Sequence, residues 1–175
     1  MKKYEFTNET LEINGVLLHR IKRLSDDLIG GWIEKESNLD QEGDCFVIDN
    51  ACVYGNARVC GDAYVCELAS IYGNARINGN AIVFGNALIG GDACVFGNAS
   101  VGGFAWVLDN ADVFDRAFVF GNARISGDAS VFGDARVFGN AEVIDVARVC
   151  GNALVTGDTR VTGYTHVASN EEIKS

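Results

Sequence analysis

The stretch Val131-Phe-Gly-Asp-Ala-Arg-Val-Phe-Gly-Asn-Ala-Glu-Val143 states one six-residue phrase twice, almost unchanged. In an extended strand, Val131, Ala135, Val137 and Ala141 share one side, which sends Phe132 and Phe138 to the other. Outward from this stretch the phrase continues. A Val or Ile recurs at every sixth position from Val47 to Val167. Ala follows four residues after each, from Ala51 to Ala153, and gives way only to Thr159 and Thr165. Between them stands a corner pair such as Gly55-Asn56, Gly61-Asp62 or Gly121-Asn122. Gly and Asn tolerate positive φ, so each hexad ends in a bend. The unit is a short strand, Ala-x-Val-x, and a two-residue corner.

Strands this short cannot bury a face alone, so successive coils must stack and share backbone hydrogen bonds. Three hexads close one triangular coil, narrow enough to admit a branched residue at mid-face and only Ala near each corner. The run from Val47 to Val167 then makes nearly seven coils, a prism roughly 30 Å tall at the ~4.8 Å spacing of adjacent strands.

Composition sets the outer bounds. The 175 residues are 48% hydrophobic with 21 Gly and no Pro, which suits one domain with a continuous core of sheet ladders and tight corners. The net charge of -10 disfavours direct binding to a nucleic-acid backbone, because nothing would displace its counterions. Such a surface serves solubility, or presents negative charge to a basic protein. No apolar run approaches the ~20 residues of a membrane span. Met1-Lys-Lys-Tyr-Glu-Phe6 lacks the apolar core of a signal peptide, so a cytoplasmic location is expected. The six cysteines (Cys45, Cys52, Cys60, Cys66, Cys94, Cys150) form no CxxC pair and have no neighbouring His. They read as reduced thiols, with no zinc or other metal expected.

The hexads V-x-G-N/D-A-x resemble the hexapeptide repeat of left-handed β-helix proteins, best known from acyltransferases; left-handed winding is what the resemblance implies. Upstream, Gly30-Gly-Trp-Ile-Glu-Lys-Glu-Ser-Asn-Leu-Asp-Gln-Glu-Gly-Asp-Cys-Phe46 resembles the GGW...QxGDCW lead-in of the bacterial YdcK-type family, whose members carry a transferase label. The likeness runs from about residue 16 to Val167 and transfers no catalytic residue.

The expected organisation is a capping hairpin over 1–28, a degenerate first coil over 29–46, the repeat over 47–167 and a tail over 168–175. The hairpin rests on Asn14-Gly15 between apolar runs, a turn pair that favours tight reversal. In the first coil, Ile29, Gly31 and Ile33 fall where a hexad's Val, Gly and Ala would, and Cys45 takes an Ala slot. The tail is too short for a lid, although Glu171, Glu172 and Lys174 would discourage strand addition.

The outward residues sort onto three faces. The first carries Phe46, Ile48, Tyr64, Ile82, Phe84, Phe118, Phe120, Phe138 and Leu154, an apolar sheet larger than the few hundred Å² that monomers normally expose. It is the predicted self-association face, with a homodimer expected because a two-fold interface needs only one self-complementary patch, and a different protein partner covering it as the alternative. The second face is mixed and includes Trp106. The third holds a Phe96, Phe114, Phe132 ladder flanked by charge. Phe96, Phe114, Phe132 and Trp106, with the corner acids Asp115 and Asp134, are the secondary candidates for holding a partner.

No catalytic residue and no cofactor site is predicted. A His needs an orienting partner and a cleft to act as a base, and His19 and His166 read as solvated surface residues. The recurring corner acids, Asp49, Asp62, Asp92, Asp109, Asp115, Asp128, Asp134, Asp145 and Asp158, read as turn residues bonding to nearby backbone. The expected function is a non-catalytic interaction protein. It would be a rigid acidic β-helix that dimerises and binds a protein partner, as an inhibitor or nucleic-acid mimic directed at a nucleic-acid-binding enzyme. The competing class is an acyl-CoA-dependent acyltransferase of the hexapeptide-repeat type.

Overall fold

Stacked triangular coils, each built from three short strands, form the body of the molecule in a computed structural model that describes residues 2–174. Met1 and Ser175, the ends of the expected cap and tail, lie outside the described residues. The protein is an all-β parallel solenoid of about eight coils, with a single 3-10 turn at Glu36–Asn38 among the described residues. The first-face sheet runs from Phe46–Val47 through Ile82–Val83 and Phe118–Val119 to Leu154–Thr156 and Glu172–Lys174. Each rung bonds to the next: Ile82 N donates to Ala99 O at 3.0 Å and Phe84 N to Val101 O at 2.9 Å.

The inward columns explain why the hexad tolerates so little variation. From Val47 to Val155 every Val or Ile of the repeat is fully buried, and Ala51 to Ala153 line the corners with at most a trace of exposure. Burying one Val is worth roughly 1.5–3 kcal/mol, so the branched columns supply most of the driving force while Ala keeps the walls close. Where Thr159 replaces Ala, its hydroxyl donates to Thr156 O at 2.7 Å, and Thr165 does the same to Thr162 O at 2.7 Å. The added hydroxyl is therefore satisfied locally.

Corner glycines are required by both angle and space. Gly85 has φ 70°, and a Cβ there would stand 2.7 Å from Gly103 N. Acids take this left-handed position at Asp49, Glu67, Asp109, Asp115 and Asp145. Each accepts a backbone N–H from the following coil, as in Asp109 from Gly127 N at 3.1 Å and Asp145 from Gly163 N at 3.0 Å. The expectation of purely local turn bonding is corrected by this arrangement: stacking places the next coil's N–H against the carboxylate, so these acids tie coils together. In the adjoining slot Asn side chains form ladders, with Asn122 donating to Asn140 and Asn140 to Asp158 at 2.9 and 2.7 Å.

The N-terminus forms β1 (Tyr4–Ile13) and β2 (Val16–Arg23), an antiparallel hairpin turning at Asn14-Gly15, both with positive φ. β2 pairs antiparallel with β3 (Ile29–Ile33), which begins the parallel stack. Tyr4 and Ile21 enter the main core, and the Tyr4 hydroxyl donates to Leu39 O at 2.9 Å. Lys3 Nζ donates to Cys45 O at 2.8 Å, fastening the hairpin to the first coil. Gly30 and Gly31 let it approach: a Cβ on Gly31 would lie 2.6 Å from Ala51 O.

Two expectations at the ends are corrected. Ile33 pairs with Val53 and Leu39 with Val59, twenty residues on, whereas Phe46 pairs with Tyr64, eighteen on. Two surplus residues between Leu39 and Gly43 therefore shift the register. Ile33, not Ile29, takes the Val slot, and Ile29 stays exposed. At the other end Glu172–Lys174 is a strand, pairing Ile173 with Val155 in parallel. Its charges flank an apolar Ile173 that packs on the core, so the tail adds a last rung.

Candidate interaction site

The first face is mostly apolar, with Ser100 and the exposed Arg136 as its polar interruptions between Tyr64 and Leu154. Ile82, Phe118 and Leu154 come from the position before each buried valine, and Phe84, Phe120 and Phe138 from the position after it. Ile82 is 43% exposed and Phe120 37%. Phe120 lies 4.9 Å from Phe118 at 54° and 5.2 Å from Phe138 at 25°. Phe84 folds over Gly102, whose added Cβ would stand 2.2 Å from the ring. A shallow groove of about 510 Å³ is lined by Arg116, Phe118, Phe120, Asp134, Arg136 and Phe138. The rest of this face, Ile48 and Tyr64, is half-buried against the core.

Phe46 leaves the expected set. It is fully buried beside Ile21, with the Arg23 guanidinium 5.0 Å from its ring, because the hairpin packs over the first rung. Two apolar residues join the site instead. Leu68 and Phe104 occupy corner slots that Asn86 and Asn122 hold elsewhere, and they are 56% and 60% exposed. They border the first face and carry its apolar character around the prism edge. Their signal in the sequence was a Leu or Phe interrupting a column of Asn.

On the third face Phe96, Phe114 and Phe132 stack at 4.9 Å with planes 2° and 1° apart. The Arg148 guanidinium sits 5.2 Å from the Phe132 ring, an attraction worth ~0.5–1 kcal/mol at exposed sites. The other column of this face carries Arg58, Arg76, Asp112 and Arg148. On the second face Trp106 lies under Arg124 at 4.5 Å. Asp115 is committed to Gly133 N at 3.1 Å, and Asp134 is paired with Arg116 at 2.7 Å. Both acids still present charge, but each holds structure first.

His19 lies against the Phe6 ring at 5.1 Å on the cap. His166 is the surprise: its Nε2 is 3.1 Å from Cys150 Sγ. The expectation that no cysteine has a His neighbour holds along the chain and fails in space, because adjacent coils bring residues 16 apart together. Burial pushes Cys52 up to about 11 and raises Cys45, Cys60, Cys66 and Cys94. Among the described residues no group of three or more His, Cys, Asp or Glu could hold a metal ion, and no helix is long and apolar enough to cross a membrane.

The YdcK beta solenoid repeat family matches residues 69–85 and 147–167. Both blocks lie within the parallel stack. No curated protein matches the chain.

Proposed function

The chain is a YdcK-type β-helix protein, and from that premise we propose that it is a non-catalytic interaction protein. It self-associates through the first face and offers its acidic edges to a basic protein partner. The observation that carries the reading is the cluster of large apolar side chains on the first face, with Ile82, Phe120 and the bordering Phe104 open to solvent. The six rungs from Tyr64 to Leu154, at ~4.8 Å each and presenting some 15–18 Å of strand and corner, give about 480 Å². That lies in the upper half of what monomers expose, and the bordering Leu68 and Phe104 extend it toward the ~800 Å² per partner of a standard interface. A flat wall of regular height suits a second copy of itself, since the same patch serves both sides.

The partner half of the reading rests on charge. The net charge of -10 is displayed partly in edge rows such as Asp109 and Asp145, fixed by backbone N–H donors of the next coil. Carboxylates held at rigid spacing attract a basic nucleic-acid-binding surface without an ordering cost. Inhibition of a nucleic-acid-binding enzyme in a cytoplasmic setting is the form of action proposed. In support of a non-catalytic role, the coils between Val47 and Val167 carry no inserted loop that would wall a substrate site.

Calorimetric titration with acetyl-CoA separates this reading from acyl transfer. The expected result is no binding heat; saturable binding would favour the acyltransferase. Competition supplies the other arm: a basic DNA-binding protein should lose duplex DNA to this chain, and less so as salt rises. Failure to compete at low salt removes the proposed edge function.

A further inference from the structure

On the third face, the row following each buried valine reads Phe96, Phe114, Phe132, Cys150, Ala168. Three stacked rings give way to a thiol and then a methyl, so the row steps down in size past the last ring. The row preceding the valines brings Arg148 and His166 together on neighbouring rungs. Cys150 is half-buried and His166 exposed, with Sγ and Nε2 3.1 Å apart. A nucleophile within hydrogen-bond reach of a base is the arrangement that activates a thiol.

We propose that Cys150 and His166 form a reactive thiol–imidazole pair that exchanges with small anionic disulfides. The imidazole Nε2 takes the Cys150 proton, and the thiolate attacks one sulfur of R–S–S–R. A Cys150–S–S–R bond forms as the original S–S bond breaks. The departing R–S⁻ takes the proton back from the imidazolium, so one disulfide is exchanged for another and no outside oxidant is needed.

Arg148, two residues before Cys150 and with its guanidinium lying over the Phe132 ring, supplies the local preference for an anion. The rung beneath, Ser130–Val131, adds no ionisable side chain. At the adjoining corner the Asp145 carboxylate is engaged by Gly163 N at 3.0 Å. At Cys52, Cys60 and Cys94 the sulfur meets a backbone carbonyl where Cys150 meets an imidazole, and burial raises the thiols of all five other cysteines.

The test uses 5,5′-dithiobis(2-nitrobenzoate) on the full reduced chain, with released thionitrobenzoate followed in time and mixed disulfides located by peptide mass. Cys150 should be labelled first, and Cys150→Ser should abolish the fast phase. His166→Gln should slow that phase about tenfold or more near neutral pH, with the two proteins converging above the ordinary thiol value of about 8.5. That change of pH profile is one a merely structural His would not produce. Faster labelling of Cys60 or Cys66 in the wild-type chain overturns the proposal without recourse to any variant. So does an unchanged rate and pH profile in His166→Gln.

Discussion

Phe114 and Phe120 occupy the same slot of the hexad on different walls, and their surroundings differ. Phe114 is sandwiched between two rings at 4.9 Å in near-parallel planes. Phe120 meets one ring at 25° and another at 54°, and the rung before it has Gly102 where a ring would stack. Beside Phe114 the companion column is polar and charged, with Asp112, Ser130 and Arg148, whereas beside Phe120 it holds Phe118 and Leu154 with one exposed charge, Arg136, on the rung between them. A ring repeated at coil spacing can thus be satisfied by its own ladder. It calls for another chain when the wall around it is also apolar.

The largest expected effect separates the two walls outright. Phe120→Asp combined with Phe138→Asp should weaken self-association at least ~100-fold, because two desolvated charges would enter the interface. Light scattering should then report one chain of 18.7 kDa. Phe114→Asp should leave the associated mass unchanged. A double variant that keeps the wild-type mass would mean the wrong wall has been chosen.

Next in size is the ladder itself. Phe114→Ala removes two stacked pairs, each worth ~0.5–1.5 kcal/mol beyond burial, so a loss of about 2 kcal/mol is expected in urea unfolding. Phe120→Ala, measured in the dissociated chain, should cost less than half as much. Equal losses would erase the distinction drawn between the faces.

Gly102→Ala probes the packing that keeps Phe84 flat. The new methyl would displace the ring, an overpacking cost of about 1–2 kcal/mol, readable as a lower denaturation midpoint. An unchanged midpoint would show that the ring is not seated there.

The smallest effect concerns Asp112. Burial, the main cause, raises its carboxyl above the ordinary value, with the Cys94 thiol opposing. A raised folded-state value means that folding favours the protonated form. Wild-type stability therefore gains as pH falls through that value and is penalised above it. Asp112→Asn should stabilise by a few tenths of a kcal/mol near neutral pH, after allowance for solvent screening, with the difference closing in acid.

Much of the fold was legible because one rule is repeated. Val47 to Val167 and Ala51 to Ala153 mark the inward columns by spacing alone, and Asn14-Gly15 marks the hairpin. What escaped depends on placement between coils. Asp109 and Asp145 look like turn residues, and nothing local says that their carboxylates bond eighteen residues onward. Cys150 and His166 are neighbours only once a coil is known to be eighteen residues long, after which their separation of sixteen predicts a diagonal contact. The burial of Phe46 depends on where Arg23 and Ile21 land, and the hairpin lies outside the repeat. The register of the first coil was lost to two residues between Leu39 and Gly43, too few to alter any composition signal.

Sedimentation equilibrium on the full wild-type chain at micromolar concentration bears most directly on the central claim. The account predicts twice the 18.7 kDa chain mass, falling to one chain when Phe120 and Phe138 carry aspartate. A single chain at every concentration, with Ile82 and Phe120 left in water, would contradict it.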